Sequence, residues 1–163
     1  MSMQIEKNIL NAETDYFSDI KAVELSILAL KSINPSDGEF KDQVVGSLRS
    51  VGWSGETRIS PDSRNYIHGV LSGAGLVVHL GNNYTIHRFI LTLEQMYRSG
   101  IIETGIIVTR TVDEAKRWNR LRQPNSSSTG NFCETDTLIP QIEEIEDLIT
   151  IPLLVLGIES VIL

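Results

Sequence analysis

Leu76-Val77-Val78-His79-Leu80-Gly81-Asn82-Asn83 is the stretch that decides how this chain is read. A nearly continuous apolar run closed by a glycine and two asparagines suits a strand buried on both faces. Directly after it the period changes. Over residues 85–98, Ile86, Phe89, Ile90, Leu93 and Tyr97 recur at helical spacing, and Ser99-Gly100 stops the helix. Residues 101–109 are β-rich again.

Working towards the N-terminus, residues 57–59 and 66–71 read as short strands separated by turn residues. An amphipathic helix over 38–51 places Phe40, Val44, Leu48 and Val51 on one stripe and runs into Gly52-Trp53. A further helix is expected over 13–33, with Tyr16, Ile20, Val23, Ile27 and Leu30 inward; Asn34-Pro35 stops it and Ser36-Asp37-Gly38 turns the chain. Towards the C-terminus, Thr111-Val112-Asp113-Glu114 has the form of a capping box, in which hydroxyl and carboxylate each satisfy an orphan amide. It opens a basic helix that Pro124 ends. Residues 124–131 read as a flexible Ser-rich loop, Ile142, Ile145 and Ile149 as a short acidic helix, and 151–158 as a closing apolar strand. The order of elements predicts one α/β domain over residues 1–163: a mixed central sheet flanked by helices, with 1–35 as a helical N-terminal segment.

Composition narrows the function. With 163 residues, 41% hydrophobic and 21% charged, the chain builds a core without metal or disulfides. A single cysteine, Cys133, excludes an internal disulfide, and its acidic surroundings do not favour a reactive thiolate. No apolar run is long enough for a membrane span. Glu6 and Glu13, without a basic-then-apolar opening, argue against a secretory leader, so the cytoplasm is the expected location.

The net charge of −7 is unevenly placed, because every Lys and Arg lies at or before Arg122. A net acidic chain is a poor non-specific DNA binder. The exception is the cluster Arg110, Lys116, Arg117, Arg120 and Arg122, which reads as a DNA-phosphate-contacting element, as a surface for an acidic partner, or simply as a solvated helix face. Trp53 reads as core, while Trp118 could be core or a stacking platform. There is no Walker loop, paired-cysteine motif or Gly-x-Ser-x-Gly elbow.

Several pieces, taken in order, carry a family resemblance: the helix from Phe40-Lys41 to Gly52-Trp53; the strand Leu76 to Leu80 with its Gly81-Asn82 turn; the helix from Arg88 to Tyr97; the strand opening Glu103-Thr104-Gly105; and the ending Ile151-Pro152-Leu153-Leu154-Val155-Leu156-Gly157-Ile158. Together they resemble the BglII and BstYI group of type II restriction endonucleases, which have the PD-(D/E)XK nuclease fold. The resemblance implies a restriction-endonuclease-like sheet, double-stranded DNA as partner, a homodimer or other protein partner, and a site of the pattern Asp, eight residues, Glu, one residue, Gln, an apolar residue and Gly. Its carboxylates would hold Mg²⁺. Aligning through Gly81 puts His68 at the Asp position, Val77 at the Glu position and His79 at the Gln position. None is kept.

Three expectations follow. The first is a catalytically degenerate homologue, needing no cofactor, that binds DNA or a protein. The second is an active Mg²⁺-dependent endonuclease whose acids have been relocated, with Glu94 the main candidate and Glu56 or Asp62 behind it. The third is a softer metal such as Zn²⁺, held by His68, His79 and His87.

Overall fold

A strand covered by helices on both faces must be buried along its length, and three strands here are buried along all or nearly all of theirs. They are β5 (Ala74–Val78), β6 (Thr104–Arg110) and β7 (Leu153–Val161). Their side chains alternate between two cores. Leu76, Val78, Ile106, Val108, Leu154, Leu156 and Ile158 enter one layer. Val77, Ile107, Leu153 and Val155 enter the other.

The computed structural model describes residues 2–34 and 40–161. Around the three strands it places β1 (Ser2–Leu10), α1 (Lys21–Lys31), α2 (Phe40–Ser50), β2 (Thr57–Arg58), β3 (Tyr66–Ile67), β4 (Gly69–Leu71), α3 (Ile86–Arg98), α4 (Val112–Arg122) and α5 (Thr135–Glu143). The main sheet has the order β1-β7-β6-β5-β4, and β2 and β3 form a separate ribbon. β5, β6 and β7 run parallel, while β4 and β1 are antiparallel to their neighbours. This is the mixed α/β sheet that the sequence predicts. Helices α1 and α2 cover the first layer through Val23, Leu30, Val44 and Leu48. Helices α3 and α5 cover the second through Ile86, Ile90, Leu93, Leu138 and Ile142. No helix among the described residues is long and apolar enough to cross a membrane.

The N-terminal segment corrects the expectation. Residues 2–10 form a strand, paired with β7 along its whole length, and the first helix begins only at Lys21, after turns in which Tyr16 N donates to Glu13 O and Ser18 N to Asp15 O. The turn expected at 35–38 lies outside the described residues. The Ser-rich segment 124–131 is tied to α4, because Asn119 Nδ2 donates to Ser128 O (3.0 Å) and Ser126 Oγ (3.1 Å). The capping box is half-formed. Thr111 Oγ1 accepts from Glu114 N, but Thr111 N donates to Ile158 O, so the Glu114 carboxylate is used elsewhere. It accepts from Ser160 N and Oγ, Trp118 Nε1 and Arg117. Arg117 and these donors outweigh burial, which acts to raise its pKa, and hold the carboxyl below its ordinary value.

Candidate functional site

Parallel strands bring their carboxyl ends to one edge, the usual place for a ligand in such a sheet. Here that edge is formed by His79, which extends β5 by donating its backbone N–H to Val108 O (2.9 Å), by the turn Gly81-Asn82, and by Arg110 at the end of β6. Residues 131–134 lie across it. Cys133 N donates to Gly81 O (2.7 Å) and Asn83 N to Asn131 O (3.1 Å), and bridges join Asn82 to Phe132 and Arg110 to Glu134. Three cavities meet at Gly81.

The alignment positions do come together. Val77 is fully buried among hydrocarbon. His68, just after β3, and His79 both pack on Phe89, with ring centroids 5.3 and 5.5 Å away. Val78 N donates to His68 Nδ1 (3.1 Å). His79 Nε2 is 2.7 Å from Asn82 O, and since a carbonyl only accepts, that nitrogen carries the proton. Burial, then Lys41, His79 and Arg49, push the His68 pKa down to about 4. Burial also lowers the pKa of His79; the Asn82 carbonyl opposes this, while Lys41, Arg110 and Arg88 add to it. Both rings are therefore neutral at pH 7.

These residues do not fit the Mg²⁺ that the resemblance implies. A hard cation wants anionic oxygens, yet the cavity beside His79 is lined by Lys41, Arg88, Asn82, Tyr84 and Thr85, with no acid among the described residues. Zn²⁺ fits no better. Nδ1 of His68 and Nε2 of His79 are already engaged, His87 is exposed, and no group of three or more His, Cys, Asp or Glu side chains among the described residues is placed to hold a metal.

Glu94 corrects the expectation of a relocated acid. Its carboxylate accepts from Arg98 Nε (2.6 Å), Thr150 Oγ1 (2.9 Å), Thr150 N (2.9 Å) and Ile151 N (2.9 Å). Residues 150–151 lead into β7, whose Leu153 pairs with Gly105 and through it with Gly75, at the amino ends of the strands. Gly75 and His79 are about 13 Å apart along the sheet. Burial would raise the Glu94 pKa, but Arg98 and the donors at 150–151 hold it below the ordinary value. Glu56 is exposed and paired with Arg58 (3.1 Å), and Asp62 is exposed in a turn.

The basic cluster divides. Arg117 pairs with Glu114 at 2.7 Å. Arg110 is buried, Lys116 half-buried, and Arg120 and Arg122 are exposed. Lys41 and Arg88 were not singled out from the sequence as site residues, since α2 and α3 bring them in from two separate parts of the chain. Trp53 is core, donating to Ser26 Oγ (2.8 Å). Cys133 is fully buried, and burial pushes its thiol up to about 11.

The restriction endonuclease BglII/BglIII family profile matches residues 7–158. The chain belongs to that family. A crystal structure of the restriction endonuclease BglII complexed with a DNA 16-mer superposes with a TM-score of 0.72 at 10% identity, over 94% of this chain and 75% of that one. Free BglII superposes with a TM-score of 0.61 at 10% identity, over 97% and 80%. At such identities the likeness speaks for the fold. Among curated protein sequences nothing matches. In this chain, then, the edge around His79 is built of a strand and a turn and carries cations and neutral imidazoles.

Proposed function

We propose that this chain is a non-cleaving member of the BglII/BglIII family that binds duplex DNA along the edge around Gly81. The observation that carries the reading is the character of the three aligned positions. Val77 sits in hydrocarbon, and His68 and His79 are neutral rings facing Lys41. Such a site attracts phosphate and has nothing to hold the divalent ion on which the implied hydrolysis depends. A homodimer, implied by the resemblance, is part of the proposal and is read by sedimentation velocity.

The test is binding without cutting. Purified protein is mixed with labelled duplex DNA at low salt, with Mg²⁺, Mn²⁺ or EDTA. Retardation that is indifferent to EDTA, strongly weakened by salt and free of cleavage products is the expected result. Metal-dependent cleavage would refute the reading. Absence of DNA binding at low salt would refute it in favour of a protein-interaction module.

A further inference from the structure

Arg110 is only 5% exposed, and its Nε and Nη1 have no hydrogen-bond partner. It is the only charged side chain with such atoms among the described residues. Its guanidinium is held among three rings: Phe132 at 4.7 Å, Trp118 at 5.3 Å and Phe40 at 6.0 Å. Aromatic faces offset part of the cost of burying a cation, but they leave its in-plane N–H donors unused. Burial lowers the pKa to about 10, so the group remains charged at neutral pH.

Two more cations join it. Arg122 lies on the same Phe132 ring at 5.0 Å, and Lys41 and Arg122 line the cavity that Arg110 lines, where no acid is present among the described residues. The acid that acts most on its charge, Glu114, is used by Arg117, Trp118 and Ser160. Like charges gathered around unused donors call for an anion with several acceptor oxygens. Two further cavities share Gly81 with it, one lined by Lys41, His79 and Arg88 and the other by Arg122, Asn119 and Asn131. Three adjoining cavities suit a polymer of anions better than a small isolated one.

We propose that Arg110, with Lys41 and Arg122 at its rim, is a metal-free seat for one phosphate group of a nucleic-acid backbone. Nucleic acid as the source of that phosphate rests on the DNA-binding reading above; the seat itself does not. The variant Arg110→Met keeps an unbranched side chain against the rings and removes the charge. Melting temperature is measured in inorganic phosphate and in chloride at matched ionic strength, and duplex DNA affinity is measured by anisotropy across a salt series.

The wild-type chain is expected to melt higher in phosphate than in chloride. Arg110→Met should lose that difference, melt no lower than wild type in chloride, bind DNA about tenfold more weakly, and show a salt slope smaller by roughly one. The double variant of Lys41→Ala and Arg122→Ala, both on exposed side chains, should also lose the phosphate response without a change in chloride, which keeps the test valid should Arg110→Met not fold. A phosphate response retained in these variants, or absent from wild type, overturns the seat. DNA binding with Arg110→Met unchanged overturns the seat and leaves the DNA reading standing. Phosphate held at Arg110 with no DNA binding at low salt keeps the seat and overturns nucleic acid as its source.

Discussion

Replacing Glu94 with alanine separates a structural acid from a catalytic one. Glu94 is 4% exposed, and its two oxygens accept from Arg98 Nε, Thr150 Oγ1, Thr150 N and Ile151 N. The losses differ by site. Ile151 is buried, so its amide would be left without a partner, at about 1–3 kcal/mol. Thr150 is exposed and its two donors recover water, so each costs nearer 0.5 kcal/mol, at the low end for a single bond. Arg98, with its side chain 59% exposed, adds little. The sum is about 3 kcal/mol, or roughly 6–12 °C in Tm for a chain of this size. Urea unfolding followed by Trp53 and Trp118 fluorescence reads it as a lower midpoint at an unchanged slope. The pH dependence adds a signature. A carboxyl held below its ordinary 4.5 stabilises the fold above that pH and loses the contribution as pH falls through its folded value. The gap between wild type and variant should therefore be full at pH 7 and close in acid. A variant within about 0.5 kcal/mol of wild type at pH 7, the spread of ordinary surface substitutions, would refute this account. So would a variant that abolished a metal-dependent nuclease activity while leaving stability unchanged.

Glu114→Ala should cost more, about 3–5 kcal/mol, because Glu114 is 1% exposed and its removal strands Ser160 and Trp118 donors and leaves Arg117 unpaired; chemical denaturation measures the loss. For His68 the folded pKa of about 4 lies below the ordinary 6.5. Between those values the unfolded chain binds more protons, so stability is full above pH 6.5 and falls as pH drops towards 4. The fall is about 2 kcal/mol once solvent screening of the partly exposed ring is counted, and it is read by urea midpoints across that window together with an NMR titration of the imidazole.

Helix α3 shows what periodicity makes legible. It is predicted over 85–98 and found at Ile86–Arg98, because its apolar stripe is long and its exposed face polar. β1 shows the opposite. In Ser2–Leu10 only Met3 is fully buried, so little in the segment marks it as a strand. Pairing with β7 supplies the partner that makes it one. The same division runs through the site. That His68, Val77 and His79 carry no carboxylate is visible in residue identities alone. Glu94 is an acid at a plausible distance along the chain, and only the folded structure reveals that its oxygens are used at the far end of the strands. Likewise five basic residues between 110 and 122 look equivalent until Glu114 claims Arg117 and three aromatic rings enclose Arg110.

The sequence by itself determined that a doubly buried strand with a glycine turn lies at the centre of an α/β domain, and that its aligned positions carry no acid. These are properties of residue type and spacing, which hydrophobic periodicity and side-chain chemistry express locally. Tertiary structure decided that Lys41, Arg88, Arg110 and Arg122 gather at one edge, and that Glu94 and Glu114 are held by partners of their own. Charge balance at a point in space sums over groups distant in the chain, and only the folded packing states which of them meet.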